Sequence, residues 1–173
     1  MEHRQFNVLF LCTGNTARSI LAEGILRKKG GPRFNAFSAG SQPKGVVNAF
    51  ALKTLAAFDC PVTDYRSKSW DEFAQGPTMD FIFTVCDNAA GESCPIWPGH
   101  PMTAHWGVED PAHIEGTEIQ KEAAFTTAFK QLRSRILVFI NLPFDKLQGI
   151  ALRNRLRDIG LMAGATPASM TKP

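Results

Sequence analysis

No apolar run in this 173-residue chain approaches the length needed to span a membrane. Its opening Met-Glu-His-Arg-Gln lacks the apolar core of a secretion signal. A cytoplasmic protein with no membrane partner is expected. Charge imbalance is also slight: 19 Lys and Arg against 16 Asp and Glu leave a net +3. That is too mild and too dispersed to argue for nucleic acid. The one basic cluster, Arg27–Lys28–Lys29 with Arg33, falls at a helix end, where cations suit the dipole. There is no internal repeat and no domain linker, so a single domain with a substantial core is expected. Cysteine is sparse, at four residues. In a chain of this type they read as catalytic, redox-active or metal-binding rather than as structural disulfides.

What is present centres on residues 8–19. Val8–Leu11 is a continuous apolar run, the mark of a short strand buried on both faces. It ends at Cys12, followed by Thr13, Gly14, Asn15, Thr16, Ala17, Arg18 and Ser19. From Ala17 onward apolar residues recur at helical spacing. A strand-to-helix turn leaves backbone N–H groups unpaired at the helix start, where they can face an anion. Arg18 can grip two oxygens of a tetrahedral oxyanion in a fork. Gly14 and Asn15 are residue types that tolerate positive φ. Cys12, near a helix N-terminus and a cation, is expected to have a lowered pKa, and Ser19 could donate to its thiolate.

This C-x5-R-S loop after a first strand resembles the low-molecular-weight protein tyrosine phosphatase superfamily, and within it the arsenate reductases built on that fold. The likeness extends to about residue 125. It implies an α/β domain over residues 1–163 with a four-stranded parallel sheet in the order 2-1-3-4. The tail 164–173 is expected to be disordered.

Along the rest of the chain, Phe34–Ser38 reads as a strand and Val46–Phe58 as a helix, with Cys60 an apolar filler. Residues Ser69–Phe73 suggest a short helix capped by Ser69, and Phe81–Cys86 a buried strand. From Asp87 to Pro111 there is no periodicity. Helices are expected over Glu118–Leu142 and Lys146–Met162. Alternating strands and helices indicate a parallel sheet, so Cys12 and Cys86, both at strand ends, could share the edge where ligands bind.

Cys86 and Cys94 lie in one loop, separated by seven residues. That spacing allows a disulfide between them, or travel of Cys86 towards Cys12. Zinc is disfavoured, because paired ligands sit closer together and no second pair accompanies them. The resemblance to arsenate reductases implies a relay. Cys12 would attack arsenic, Cys86 would attack Cys12 as arsenite leaves, and Cys94 would carry the disulfide outward to an external reductant. In those relatives the pair is one residue closer together. No bound cofactor is implied; thioredoxin, or glutathione with glutaredoxin, would be the partner. Asp110-Pro111 matches the family's general acid, and Glu109 is its understudy. Asn15, Glu23 and Ser38 stand where some relatives hold a potassium ion. A monomer is expected. The rivals are a phosphatase of the same superfamily and a non-catalytic oxyanion or redox sensor.

Overall fold

The computed structural model describes residues 4–86 and 97–166. Four parallel strands form one sheet in the order β2-β1-β3-β4: β1 Phe6–Cys12, β2 Phe34–Gly40, β3 Phe81–Thr84 and β4 Met102–His105. This is the expected order and fold class. Register aligns Cys12 with Gly40, and Leu11 with Thr84, so the strands finish along one edge.

The helices are α1 Arg18–Lys29, α2 Ala49–Ala57, α3 Glu118–Ile140 and α4 Gly149–Gly160. Side chains of β1 alternate between two apolar layers. Val8 and Phe10 join the main core with α1, α3 and α4, while Leu9 and Leu11 pack with Phe73, Ile82 and Trp97 on the other face. With both faces covered, the apolar residues of this central strand have to be continuous.

Strands β1 and β2 run longer than the expected 8–11 and 34–38, whereas β3 and the helices are shorter at their ends than expected, for local reasons. Asn48 caps α2 by accepting the N–H of Phe50, which leaves Val46 and Val47 outside the helix. Ser69 caps as anticipated, but the element it opens is a 3-10 turn over Trp70–Phe73. The capping box of α3 joins Thr117 and Gln120. Strand β4 lies inside the stretch that carried no periodicity. It is four residues long and half-exposed, too short to leave a pattern. The tail does not begin at Gly164: Ala165 bridges Val108 in antiparallel fashion, and the Thr166 N–H donates to the Gly107 carbonyl at 3.1 Å. No helix among the described residues is long and apolar enough to cross a membrane.

Candidate active site

The loop between β1 and α1 is held from outside by its own carbonyls. Those of Cys12, Thr13, Gly14 and Thr16 accept N–H groups from Ser41, Gln42, Lys44 and Asn48 at 2.9–3.3 Å. In a planar trans peptide the next residue's N–H points opposite to the carbonyl. The N–H groups of Thr13, Gly14, Asn15 and Ala17 therefore face the loop interior. No described side chain caps α1 at Ala17, so among the described residues its first amides are not taken by a cap. Asn15 adopts φ 49°, as its type allows; Gly14 does not take positive φ, and a side chain there would meet nothing closer than 3.6 Å. Gly40 is the glycine this turn requires, since a Cβ there would lie 2.4 Å from the Thr13 carbonyl.

Three further groups converge on this loop. Cys86 follows β3, and its sulfur accepts the Thr13 N–H at 3.2 Å and lies 3.5 Å from the Thr13 hydroxyl. Cys86 is also near enough to Cys12 to be the first influence on its thiol. Both thiols are buried. Arg18 reaches the loop after β4, donating through Nη1 to the Val108 carbonyl at 2.9 Å and facing Asp110 Oδ2 through Nη2 at 3.4 Å. Asp110 Oδ1 accepts the Ala112 N–H at 2.9 Å, and His113 Nε2 lies 3.3 Å from Oδ2. The strand-end geometry thus brings Cys12, Arg18, Cys86 and Asp110 into one constellation.

A family model for low molecular weight phosphotyrosine protein phosphatase matches residues 7–141. The chain belongs to that family. Within the family, an arsenate reductase of Oceanobacillus iheyensis is 37% identical over 132 residues, 76% of this chain and 93% of that protein. The arsenate reductase from Archaeoglobus fulgidus superposes with a TM-score of 0.62 at 25% identity, covering 78% of this chain and 99% of that one. A low molecular weight protein tyrosine phosphatase from T. tengcongensis superposes equally well, with a TM-score of 0.62 at 24% identity over 83% of this chain and all of that one. That likeness speaks for the fold.

Electrostatics in this member of the family differ from expectation at Cys12. Its thiol pKa is raised well above the ordinary value, first by the hydrogen bond to Cys86, then by burial and by charge on Cys86; Arg18 and the Thr13 amide pull the other way and lose. The sequence shows the guanidinium and the helix start, but not a second sulfur on the first. Ser19 is also used otherwise than expected: its described contact is as acceptor of the Asn15 amide at 2.8 Å.

Asn15, Glu23 and Ser38 do come together, but as a closed hydrogen-bond chain. Asn15 Oδ1 accepts the Lys68 N–H at 3.0 Å, which fixes the amide so that Nδ2 donates to Ser19 and to Ser38. Ser38 in turn donates to Glu23 at 2.6 Å. A potassium ion needs oxygens turned towards it. Here a nitrogen points inward, Ser38 spends its proton on Glu23, and that carboxylate already faces Arg27 and, at 4.0 Å, Lys68. The set does not fit the ion, and the two fixed cations take its place. Burial raises the Glu23 pKa against the Ser38 bond and both cations, and burial lowers that of Lys68.

Cys94 lies outside the described residues. Glu109 is exposed, and Trp106 is packing, stacked on Phe83 at 3.6 Å. Sequence reasoning missed Lys68 and Arg135, each in a segment without a motif and with other cations close by in sequence that the site does not use.

Proposed function

We propose that this protein is an arsenate reductase using Cys12, Cys86 and Cys94 in turn. The observation that carries the reading is the Cys86 sulfur on the Thr13 amide, in the wall of the oxyanion loop and next to the residue that follows Cys12 in sequence. A hydrolase needs one thiol there, and a reductase needs the second within reach of the first. The 37% identity to the Oceanobacillus iheyensis arsenate reductase supports the same reading.

Arsenate enters the loop, taking up the inward amides and the Arg18 fork, and displaces Cys86 from the Thr13 N–H. That removes the main influence holding the proton on Cys12. The Cys12 thiolate then forms a bond to arsenic as hydroxide leaves, protonated by Asp110. Cys86 attacks the Cys12 sulfur. The S–As bond breaks, its electron pair reduces As(V) to As(III), and arsenite departs. Cys94 attacks Cys86, freeing Cys12 and leaving a Cys86–Cys94 disulfide for an external thiol reductant of the thioredoxin or glutaredoxin class.

A second reading, a phosphatase, has the shared fold and the same loop in its favour. The deciding experiment supplies reduced protein with arsenate and NADPH through thioredoxin and its reductase, or through glutathione and glutaredoxin, with p-nitrophenyl phosphate in a parallel assay. Arsenate-dependent NADPH consumption in either system establishes the reductase and names its donor. Silence in both systems with rapid phosphate release makes the protein a phosphatase.

A further inference from the structure

Residues 142–166 lie beyond the part of the chain that the family model matches, and they carry α4. Their far end folds back onto the loop that bears Asp110. His105 Nε2 bonds the Thr166 carbonyl at 3.1 Å, and the Thr166 N–H reaches Gly107. Ala165 bridges Val108, and Trp106 Nε1 donates to the Leu156 carbonyl at 2.9 Å. The approach is close: a Cβ on Gly160 would lie 2.2 Å from the His105 carbonyl. On its other side the same segment is held by Arg18 at Val108 and by the β3 end, where Val85 accepts the Val108 N–H at 3.3 Å.

Arg135 sits where these two holds meet. It projects from α3 and is fully buried, with Nη2 3.3 Å from the Met162 carbonyl and 3.5 Å from that of Gly107. Among the described residues, its Nε and Nη1 have no hydrogen-bond partner and no carboxylate forms a salt bridge with it. A guanidinium buried so poorly matched costs stability, and an apolar residue of similar volume would be cheaper to fold. Such locally unfavourable features gather where geometry matters to function.

We infer that Arg135 is a positioning residue for Asp110, tying the acid loop at Gly107 to the C-terminal extension at Met162. The extension thereby acts as a brace that the matched family domain does not contain. The inference rests on the reading of Asp110 as the general acid.

The test compares Arg135→Met in two backgrounds, the native protein and Asp110→Asn, by steady-state arsenate reduction. General-acid catalysis is worth about 10²–10⁴-fold, and a displaced acid keeps only part of it. Arg135→Met is therefore expected to lower kcat about tenfold or more, to leave KM for arsenate within about twofold, and to do nothing further once Asp110 is Asn. An equal drop in both backgrounds, or no drop in either, overturns the inference. Full activity of Asp110→Asn alone would instead remove the acid reading on which it rests. If Arg135→Met does not fold, Thr166→Pro goes through the same two backgrounds. It deletes the N–H held by Gly107, and the residue before it, Ala165, lies in a β-bridge rather than a helix, where a following proline is tolerated.

Discussion

The amide of Thr13 donates to the sulfur of Cys86 at 3.2 Å, although the two residues are 73 positions apart. In the proposed mechanism an oxyanion entering the loop competes with that sulfur, which ties substrate binding to the release of Cys86. The thiol of Cys12 is affected directly, since Cys86 is the first cause of its raised pKa.

Replacing Cys86 by Ala should therefore shift the Cys12 pKa downward and increase its thiolate fraction at neutral pH, because burial is then left alone against Arg18 and Thr13. The check is the pH dependence of Cys12 alkylation by iodoacetamide, followed by peptide mass. A midpoint that stays put or rises sinks the assignment.

Cys94→Ser should release about one arsenite per protein and then stop with a Cys12–Cys86 disulfide, since nothing moves the bond outward. Arsenite counting and intact-protein mass decide it. Continued turnover with a protein reductant would refute the relay.

Asn15 joins Lys68, Ser19 and Ser38 from a backbone at φ 49°. Asn15→Gly keeps that conformation and loses the buried hydrogen bonds, at about 2 kcal/mol. Asn15→Ala loses both and should cost about 1 kcal/mol more. Urea unfolding separates them, and equal losses would show that the conformation is unstrained.

Glu23 has a folded-state pKa raised above 4.5 by burial. Its contribution to stability is therefore complete below that value and is lost as pH rises through the folded pKa. The melting-temperature difference between native protein and Glu23→Gln should move in the variant's favour from about pH 4 to pH 7. A difference that is flat, or moves the other way, means that Arg27 and Lys68 outweigh burial.

What the sequence made legible was chemistry carried by adjacent residues. The apolar run 8–11, the cysteine that ends it, Arg18 and Asp110-Pro111 all sit where the local pattern put them. What it hid depends on residues far apart. The Cys86 contact inverted the expected pKa of Cys12. Lys68 turned an expected cation site into a closed hydrogen-bond chain. Strand β4 was too short to be periodic, and Ala165 and Thr166, with no pattern of their own, are ordered by the segment they meet. Local propensity carries no information about such partners.

Strand β1 is hydrogen-bonded on both flanks, to β2 along its whole length and to β3 from Val8 to Leu11. Its amides should be among the last to exchange with deuterium, opening only when the entire domain does. Cys12 ends that strand. The position of the sulfur is thus guarded by the global unfolding free energy, while Asp110, the proposed acid, hangs on a short edge strand and a folded-back terminus. Mild destabilisation should loosen Asp110 long before it disturbs Cys12, and under the proposed mechanism chemistry should fade while an oxyanion still binds.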